Sequence, residues 1–299
     1  MAESAGAAAA AVVVTHDALP WLERCLTSLE GVATVVVDNG SQDGSVALVR
    51  ERFPRVRLVE QANLGLAAGW ARGIAETSGR YVLFLNSDAW LVGDALERLV
   101  AVADRLPRAA VVGPKLLNPD GTLQRSVRGF PSTWRLATEY LYLRKLAPRS
   151  QALNAFYGAG FDHESEREAE FLMGACLLVR REAIEQVGPP DTSYFLFSEE
   201  VDWCWRFREA GWSVVFTPDA QCVHVGGASH GGRMFRENVR GHLRFLRDHR
   251  GETEAERARK VLRGSLVLRG RLVRGARGAT YRDTARWLGS GDVETLLER

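Results

Sequence analysis

Long apolar runs are missing from this 299-residue chain. No stretch reaches the roughly 18 residues that a membrane-spanning helix needs. The longest, Ala5 to Val14, is mostly alanine with no basic leader before it, so neither a transmembrane helix nor a signal peptide is expected. Cysteine is scarce as well. Cys25, Cys176, Cys204 and Cys222 are scattered and show no Cys-x-x-Cys spacing, which fits a reduced, cytoplasmic setting. Repeats and low-complexity tracts are absent beyond the alanines near the N-terminus. Net charge is nearly absent too, at +2, and nucleic acid is not an expected partner.

That small sum hides an asymmetry. Residues 233–299 hold 17 Lys and Arg against 9 Asp and Glu, a balance of +8, and the first 232 residues balance to −6. The tail is the part that favours an anionic surface, including the inner face of a membrane to which the protein could bind peripherally. Arg233, Arg236, Arg240, Arg244 and Arg247 recur every three or four residues and form one helical stripe. Such a stripe is either a solvated face on a packed helix or a phosphate- or membrane-facing one. With apolar residues at 46% and charged ones at 25%, the chain can bury a core as one large domain or as a domain plus an appendage.

What is present is a repeated strand and helix rhythm. Ala9 to Thr15 reads as a buried strand, and Asp17 is placed to cap a helix carrying Pro20 near its start. Val32 to Asp38 is a second apolar run, followed by the turn-rich Asn39 to Ser45 and a helix to about Phe53. Val56 to Glu60, a small-residue helix from Leu66 to Thr77 and the continuous apolar run Tyr81 to Leu85 complete four alternations. Right-handed βαβ units and a parallel sheet follow. The last of these strands ends in Asn86, Ser87 and Asp88, and ligands of open α/β sheets bind beyond such carboxyl ends.

A helix from Asp94 to Arg105 and a strand from Ala109 to Gly113 continue the pattern, after which the rhythm changes. Asn118-Pro119-Asp120-Gly121 marks a hairpin turn, Trp134 to Leu146 a helix, and Ala147 to Glu168 a long loop excursion. Phe171 to Val179 is another buried run through Gly174 and Ala175. Ser213 to Thr217 and Gln221 to Val225 are short strands, the second carrying His224 before the Gly-rich loop Gly226 to Gly232. Glu199, Glu200 and Asp202 crowd the first turn of a helix, more acids than capping requires. Beyond Arg233 the pattern is helical, although Gly264, Gly270 and Gly275 weaken a long helix there.

Eight motifs in order, across about residues 10–232, resemble inverting family 2 glycosyltransferases of the GT-A fold, in their rhamnosyltransferase-like and galactofuranosyltransferase-like branch. They are Val13-Val14-Thr15-His16-Asp17, the stretch Val36 to Ser45, Asn63 to Gly69 and Phe84-Leu85-Asn86-Ser87-Asp88, followed by Gly113 to Gly121, Gly174 to Arg181, Glu199 to Arg206 and His224 to Ser229. The resemblance implies a catalytic domain over 1–232, a mostly parallel central sheet flanked by helices, and a basic helical extension over 233–299.

It also implies roles. Asp38 falls where the family accepts the imide N–H of a pyrimidine, and Thr15 and Asn63 where it lines the base and ribose pocket; as residues alone, the latter two are strand-end and turn positions. Asn86, Ser87 and Asp88 fall at the donor diphosphate. Where many relatives write Asp-x-Asp this chain has Asn86, so Asp88, helped by His224, becomes the implied ligand of Mn2+ or Mg2+. The family commonly writes Glu-Asp and uses the second acid as base. Glu200 inherits that role with one more methylene, with Glu199 and Asp202 as alternatives. Gly174, Ala175 and Trp203 fall at the acceptor or sugar pocket, where an aromatic face suits a sugar ring or else packs the core. Trp70, where relatives often carry asparagine, either faces the donor or belongs to the core.

The implied reaction moves a sugar from dTDP-rhamnose or a UDP-hexose to a hydroxyl of a glycan or lipid-linked saccharide. Two rivals stand beside it. A catalytically silent sugar-nucleotide scaffold would tolerate Asn86 and the Glu-Glu pair. A nucleotidyltransferase would want a basic Gly-rich loop after the first strand, which Thr15-His16-Asp17 does not provide.

Overall fold

The structure, a computed structural model, describes residues 5–226 and 232–298. The chain forms two compact units. The first comprises Met1–Val127, Asp162–Phe195 and Asp202–Gly226; the second comprises Arg128–Phe161, Leu196–Val201 and Gly227–Arg299. The residues beyond the expected boundary at 232/233 thus belong to a unit that also takes in two earlier segments.

The first unit is built on a ten-stranded sheet. Its strands are β1 (Ala9–Thr15), β2 (Ala33–Asp38), β3 (Arg57–Glu60), β4 (Tyr81–Asn86), β5 (Ala89–Leu91), β6 (Ala109–Leu117), β7 (Leu123–Gln124), β8 (Arg167–Glu168), β9 (Cys176–Arg180) and β10 (Ser213–His224). The order is β3-β2-β1-β4-β9-β6-β10-β5, with β7 on β6 and β8 on β10. Along that path β9 and β5 run against the rest, so the sheet is mixed but mostly parallel. The four alternations read from the sequence are present in order, and the apolar runs are buried on both faces: Val12, Val13, Val36, Leu83 and Phe84 are all 0% exposed.

The small-residue helix Leu66–Ala75 has a steric cause. A Cβ on Gly73 would stand 2.3 Å from Val12 Cγ1, and one on Gly69 2.7 Å from Val14 Cγ1, so the helix backbone lies directly on β1. Two expected breaks fall elsewhere. The run Phe171 to Val179 is split by a turn at Gly174 and Ala175, whereas the two short strands after Ser213 are one strand, β10. Its register on β6 slips between Thr217 and Gln221, around Pro218, which has no N–H for the ladder.

In the second unit the expected helix from Trp134 to Leu146 stops at Tyr140, because Tyr142 takes the left-handed conformation at φ 59° and a 3-10 turn, Leu143–Lys145, follows. The expected loop over Ala147 to Glu168 contains helical turns at Gln151–Asn154 and Ala155–Gly160. Helices Gly232–Arg250, Glu252–Leu272, Gly275–Trp287 and Val293–Glu298 complete the unit. Contrary to expectation, Gly264 and Gly270 lie inside a 21-residue helix; at Gly270 a Cβ would meet Arg282 at 2.7 Å, so the glycine admits the neighbouring helix.

Arg233 of the arginine stripe is exposed, and the other four arginines are engaged within the unit. Arg236 and Arg240 lie over Trp287 at 5.8 and 5.4 Å, Arg240 also pairs with Glu237, Arg244 donates to Leu297 O, and Arg247 pairs with Asp248 and Glu294. They tie the unit's own helices together.

Candidate active site

The carboxyl ends of β1, β2 and β4 lie side by side, because the parallel register pairs Thr15 with Asp38 and Val14 with Asn86. Asp38 is 2% exposed. Its Oδ2 accepts the N–H of Gly40 at 3.0 Å and of Ser41 at 3.1 Å, and its Oδ1 is buried without a partner. Thr15 Oγ1, in the paired position, is also buried and unpartnered. A cavity of about 570 Å³ opens beside Asp38, lined also by Gly40, Ser41, Gln42, Val46, Glu60 and Gln61. A buried acceptor left unpaired is costly, and an N–H donor brought by a ligand relieves it.

The loops that shape this edge brace one another. Asp17 does not cap its own helix as expected. At φ 51° it turns away, its Oδ1 accepts Gln42 N at 2.7 Å, and the first N–H of the helix Leu19–Thr27 goes instead to Asp43 Oδ2 at 2.7 Å. Asn39 Nδ2 donates to Gly65 O at 3.0 Å and its Oδ1 accepts Gln61 Nε2 at 2.8 Å. Gly65, at φ 94°, lies where a Cβ would be 2.2 Å from Phe195 O. Asn63, the other expected pocket residue, is exposed and closes a turn through Oδ1 to Gly65 N at 3.2 Å.

Asp88 and His224 are brought together by the β5 to β10 pairing, which sets Ala89 opposite His224. Asp88 Oδ1 lies 3.4 Å from His224 Nε2, and Asp88 Oδ2 accepts Gly226 N at 3.1 Å. Burial pushes the Asp88 carboxyl up, but the facing imidazole and the Gly226 N–H outweigh it and hold the group below its usual value, ionised at neutral pH. Gln124 orients the ring. Its Nε2 donates to Asn118 Oδ1 and to His224 O, so its Oε1 is the acceptor for His224 Nδ1–H at 2.7 Å. Nε2 is left facing Asp88.

The gap between Nε2 and Oδ1 takes either a proton or a divalent ion. Two ligand atoms each about 2.1 Å from an ion and at right angles stand about 3 Å apart, so the spacing of the pair is compatible with two donors to one Mg2+ or Mn2+. Among the described residues no cluster of three or more His, Cys, Asp or Glu is placed to hold a metal. Asn86 and Ser87 are half-buried at the turn before Asp88, and Asn86 N donates to Ala175 O at 3.0 Å, which brings the Gly174-Ala175 turn to the same strand end.

The second unit carries Glu199 and Glu200. Glu199 is 3% exposed with Oε2 unpartnered; burial and then the neighbouring Glu200 push its carboxyl well above the usual range. Glu200 is half-buried. Asp202, in the first unit, is 4% exposed and accepts Arg206 Nε at 2.8 Å.

Trp203, expected at a sugar pocket, is a core residue. It is 1% exposed, its ring lies 5.4 Å from Phe84 and 5.0 Å from Phe207, and its Nε1 donates to Gly188 O, so no face is left for a sugar. Trp70, also 1% exposed and 5.0 Å from Phe84, joins the same cluster and does not face a donor. Gly227, Ala228 and Ser229 of the last motif lie outside the described residues. Gln124, Asn39 and Gln61 had not been singled out; the hairpin turn before Gln124 was the only sign of it.

The family model for Glycosyl transferase family 2 matches residues 10–188. The chain belongs to glycosyltransferase family 2. It is 35% identical over 283 residues to the N-acetylglucosaminyl-diphospho-decaprenol L-rhamnosyltransferase of Mycobacterium tuberculosis, with the same figures for strains CDC 1551 and H37Rv, covering 88% of this chain and 91% of the relative. Solved structures of similar fold include S. aureus TarS, at TM-score 0.53 and 14% identity over 86% of this chain, and GalNAc-T7 with UDP, GalNAc and Mn2+, at TM-score 0.59 and 13% identity over 97%. The chain spans 42% and 56% of those two chains, and at such identities the likeness shows the fold alone. That fold is GT-A.

Proposed function

We propose that the chain transfers a sugar, with inversion, from a nucleoside diphosphate sugar to a hydroxyl of a lipid-linked saccharide. The observation that carries this reading is the unpartnered Oδ1 of Asp38 beside an open cavity at the strand ends, an acceptor suited to the imide N–H of uracil or thymine. The likeness to a rhamnosyltransferase acting on a diphospho-decaprenol sugar favours dTDP-rhamnose over a UDP-hexose as donor and a lipid-linked acceptor over a free glycan. The catalytic domain is assigned to 1–232 and the extension to 233–299.

The reaction is one in-line displacement. The acceptor hydroxyl attacks the anomeric carbon as its proton passes to Glu200 and the bond to the diphosphate breaks. Glu199, buried with its pKa pushed up, and Asp202, tied to Arg206, are the poorer bases, and a placed carboxylate contributes on the order of 10²- to 10⁴-fold. Asp88 and His224 would hold Mn2+ or Mg2+, which supplies positive charge to the departing diphosphate. Thr15 lines the base pocket with Asp38, Asn63 closes the turn that borders it, and Asn86 and Ser87 face the diphosphate end; Gly174 and Ala175 form the sugar-side turn.

No described helix is long and apolar enough to cross a membrane. Peripheral docking on the anionic inner face of the cell membrane is assigned instead to the helix Glu252–Leu272. There Val267, Leu268 and Leu272 are 37%, 49% and 73% exposed beside exposed Arg263, Arg271 and Arg274. Replacing Leu268 and Leu272 by Glu should abolish cosedimentation with phosphatidylglycerol vesicles, and unchanged binding would refute the assignment.

The central test follows release of nucleoside diphosphate from a panel of nucleotide sugars with Mn2+ or Mg2+. Binding of a donor without any release, in the presence of lipid-linked acceptors, would establish the silent scaffold. Loss of turnover in Glu199→Gln with Glu200→Gln still active would reassign the base.

A further inference from the structure

Two runs of the second unit carry no acid at all. Residues 140–161 hold Arg144, Lys145 and Arg149 against no Asp or Glu, and residues 257–282 hold nine Lys and Arg against none. The fold joins the two runs at one buried cation. Arg269, 7% exposed, donates from Nη2 to Glu139 O at 2.8 Å and lies 3.8 Å from the centroid of the Tyr142 ring, over which Lys145 also lies at 4.8 Å. The ring of Tyr281, in the following helix, is 5.5 Å from the same guanidinium. Glu139, the acid nearest the joint in sequence, is taken by Arg144. Lys145 and Arg149 are exposed and form no ion pair among the described residues.

Around this joint, leucine side chains stand in water. Leu141 is 39% and Leu146 78% exposed, on either side of the 3-10 turn Leu143–Lys145, none of whose residues is buried. Leu268 and Leu272, at 49% and 73%, come one residue before and three after Arg269 on its helix. Tyr142 holds a left-handed backbone at φ 59°, which a residue with a side chain adopts only at a cost, and the cations on its ring brace it there. Exposed leucines among unopposed cations narrow the choice of occupant. A soluble polyanion would engage the cations and leave the leucines wet, whereas a second copy would cover the leucines and set like charges face to face. An anionic bilayer takes both, because its headgroups meet Lys and Arg while its acyl boundary takes the leucines.

We propose that residues 141–149 form a second lipid-binding arm, locked by Arg269 to the exposed end of the helix Glu252–Leu272, so that both runs dock on an anionic bilayer as one surface. The inference rests on the reading of that helix as membrane-facing and extends it to a segment far earlier in the chain. Because the leucines lie on both runs, docking depends on the folded joint and not on one amphipathic helix.

Cosedimentation of the full-length protein with vesicles of equimolar phosphatidylglycerol and phosphatidylcholine, against phosphatidylcholine alone, tests the arm without needing turnover. The wild type should bind the anionic vesicles and not the neutral ones. Leu141→Ala with Leu146→Ala should lower the partition coefficient by about 10- to 100-fold. Lys145→Gln with Arg149→Gln should lower it by about 10- to 30-fold, a difference that added salt removes. Both pairs should melt like the wild type, because the replaced side chains are exposed. Unchanged partition in either pair, or wild-type binding as tight on phosphatidylcholine alone, overturns the second arm. A wild-type dimer that the two alanines dissolve with vesicle binding unchanged overturns it in favour of a second copy. Loss of binding when Leu268 and Leu272 become Glu, with none in the turn variants, defeats the arm and leaves the helix assignment standing; the reverse pattern defeats the helix assignment alone. A wild type that binds no vesicle defeats both, and nucleoside diphosphate release is read apart from either.

Discussion

Replacing Asp38 by Asn changes one atom and isolates the contact on which the donor reading stands. Oδ2 of Asp38 already serves Gly40 N and Ser41 N, a duty the amide oxygen of Asn can assume, so the fold should lose less than about 1 kcal/mol. The new NH2 then stands where Oδ1 is buried without a partner. There it meets the imide N–H of uracil donor to donor. A hydrogen bond to a buried carboxylate contributes about 1.5–3 kcal/mol, so affinity for UDP or dTDP should fall by about 10- to 100-fold. Cytosine presents an acceptor at that ring position, and the gap between UDP and CDP should narrow or invert. Calorimetric titration of both nucleotides measures this, with uncharged uridine alongside to separate the contact from the gain of removing a negative charge near a diphosphate. Unchanged uridine affinity in a variant that melts like the wild type would refute the placement of the base on Asp38.

Three further outcomes are expected. Asp88→Ala should lower kcat/KM by about 10²- to 10³-fold and remove its response to Mn2+ titration, while a variant that still responds to Mn2+ as the wild type does would put the ion elsewhere. Gly65→Ala should destabilise by about 2–4 kcal/mol in denaturant melts, because it adds a Cβ at φ 94° and 2.2 Å from Phe195 O; a neutral effect would contradict that packing. Burial holds the His242 imidazole down to about 4, so the unfolded chain takes the proton first as pH falls, and stability present above pH 6.5 is lost between pH 6.5 and about 4, by up to about 3 kcal/mol. Glu199 works in the opposite sense, its raised pKa removing stability as pH rises past the usual carboxylate range. His242→Gln should therefore flatten the acid limb of stability in urea melts from pH 7 to 4, and equal limbs in variant and wild type would count against the assignment.

The strand-end half of the candidate site was legible because it is local. Four continuous apolar runs, each ending in a polar cluster, dictate parallel strands, and parallel strands put Thr15, Asp38 and Asn86 on one edge whatever the loops do. The meeting of Asp88 with His224 needed the motif order, because 136 residues separate them and only the β5 to β10 register joins them. Gln124 was out of reach because its role depends on a two-strand hairpin returning to the His224 backbone. Trp203 and Trp70 stayed open between site and core for a physical reason: an indole near a site motif packs a core as readily as it stacks on a sugar, and sequence carries no exposure. The arginine stripe stayed open in the same way, since helical spacing shows which residues share a face and not what covers it.

The Glu199-Glu200 pair shows what a motif alone leaves out. Phe197 at φ 69° and Ser198 at φ 70° are consecutive left-handed residues with side chains, each costing about 1–2 kcal/mol, immediately before the pair. Gly241 lets the strained turn close, since a Cβ there would stand 2.7 Å from Ser198 Oγ and 2.8 Å from Phe197 O. The turn delivers one carboxyl into the interior, where burial pushes its pKa up, and leaves the next half-buried. Adjacent acids in unlike surroundings can take different roles. That difference in surroundings supports the proposal of the second position as the base, where the extra methylene of Glu200 over aspartate changes its reach.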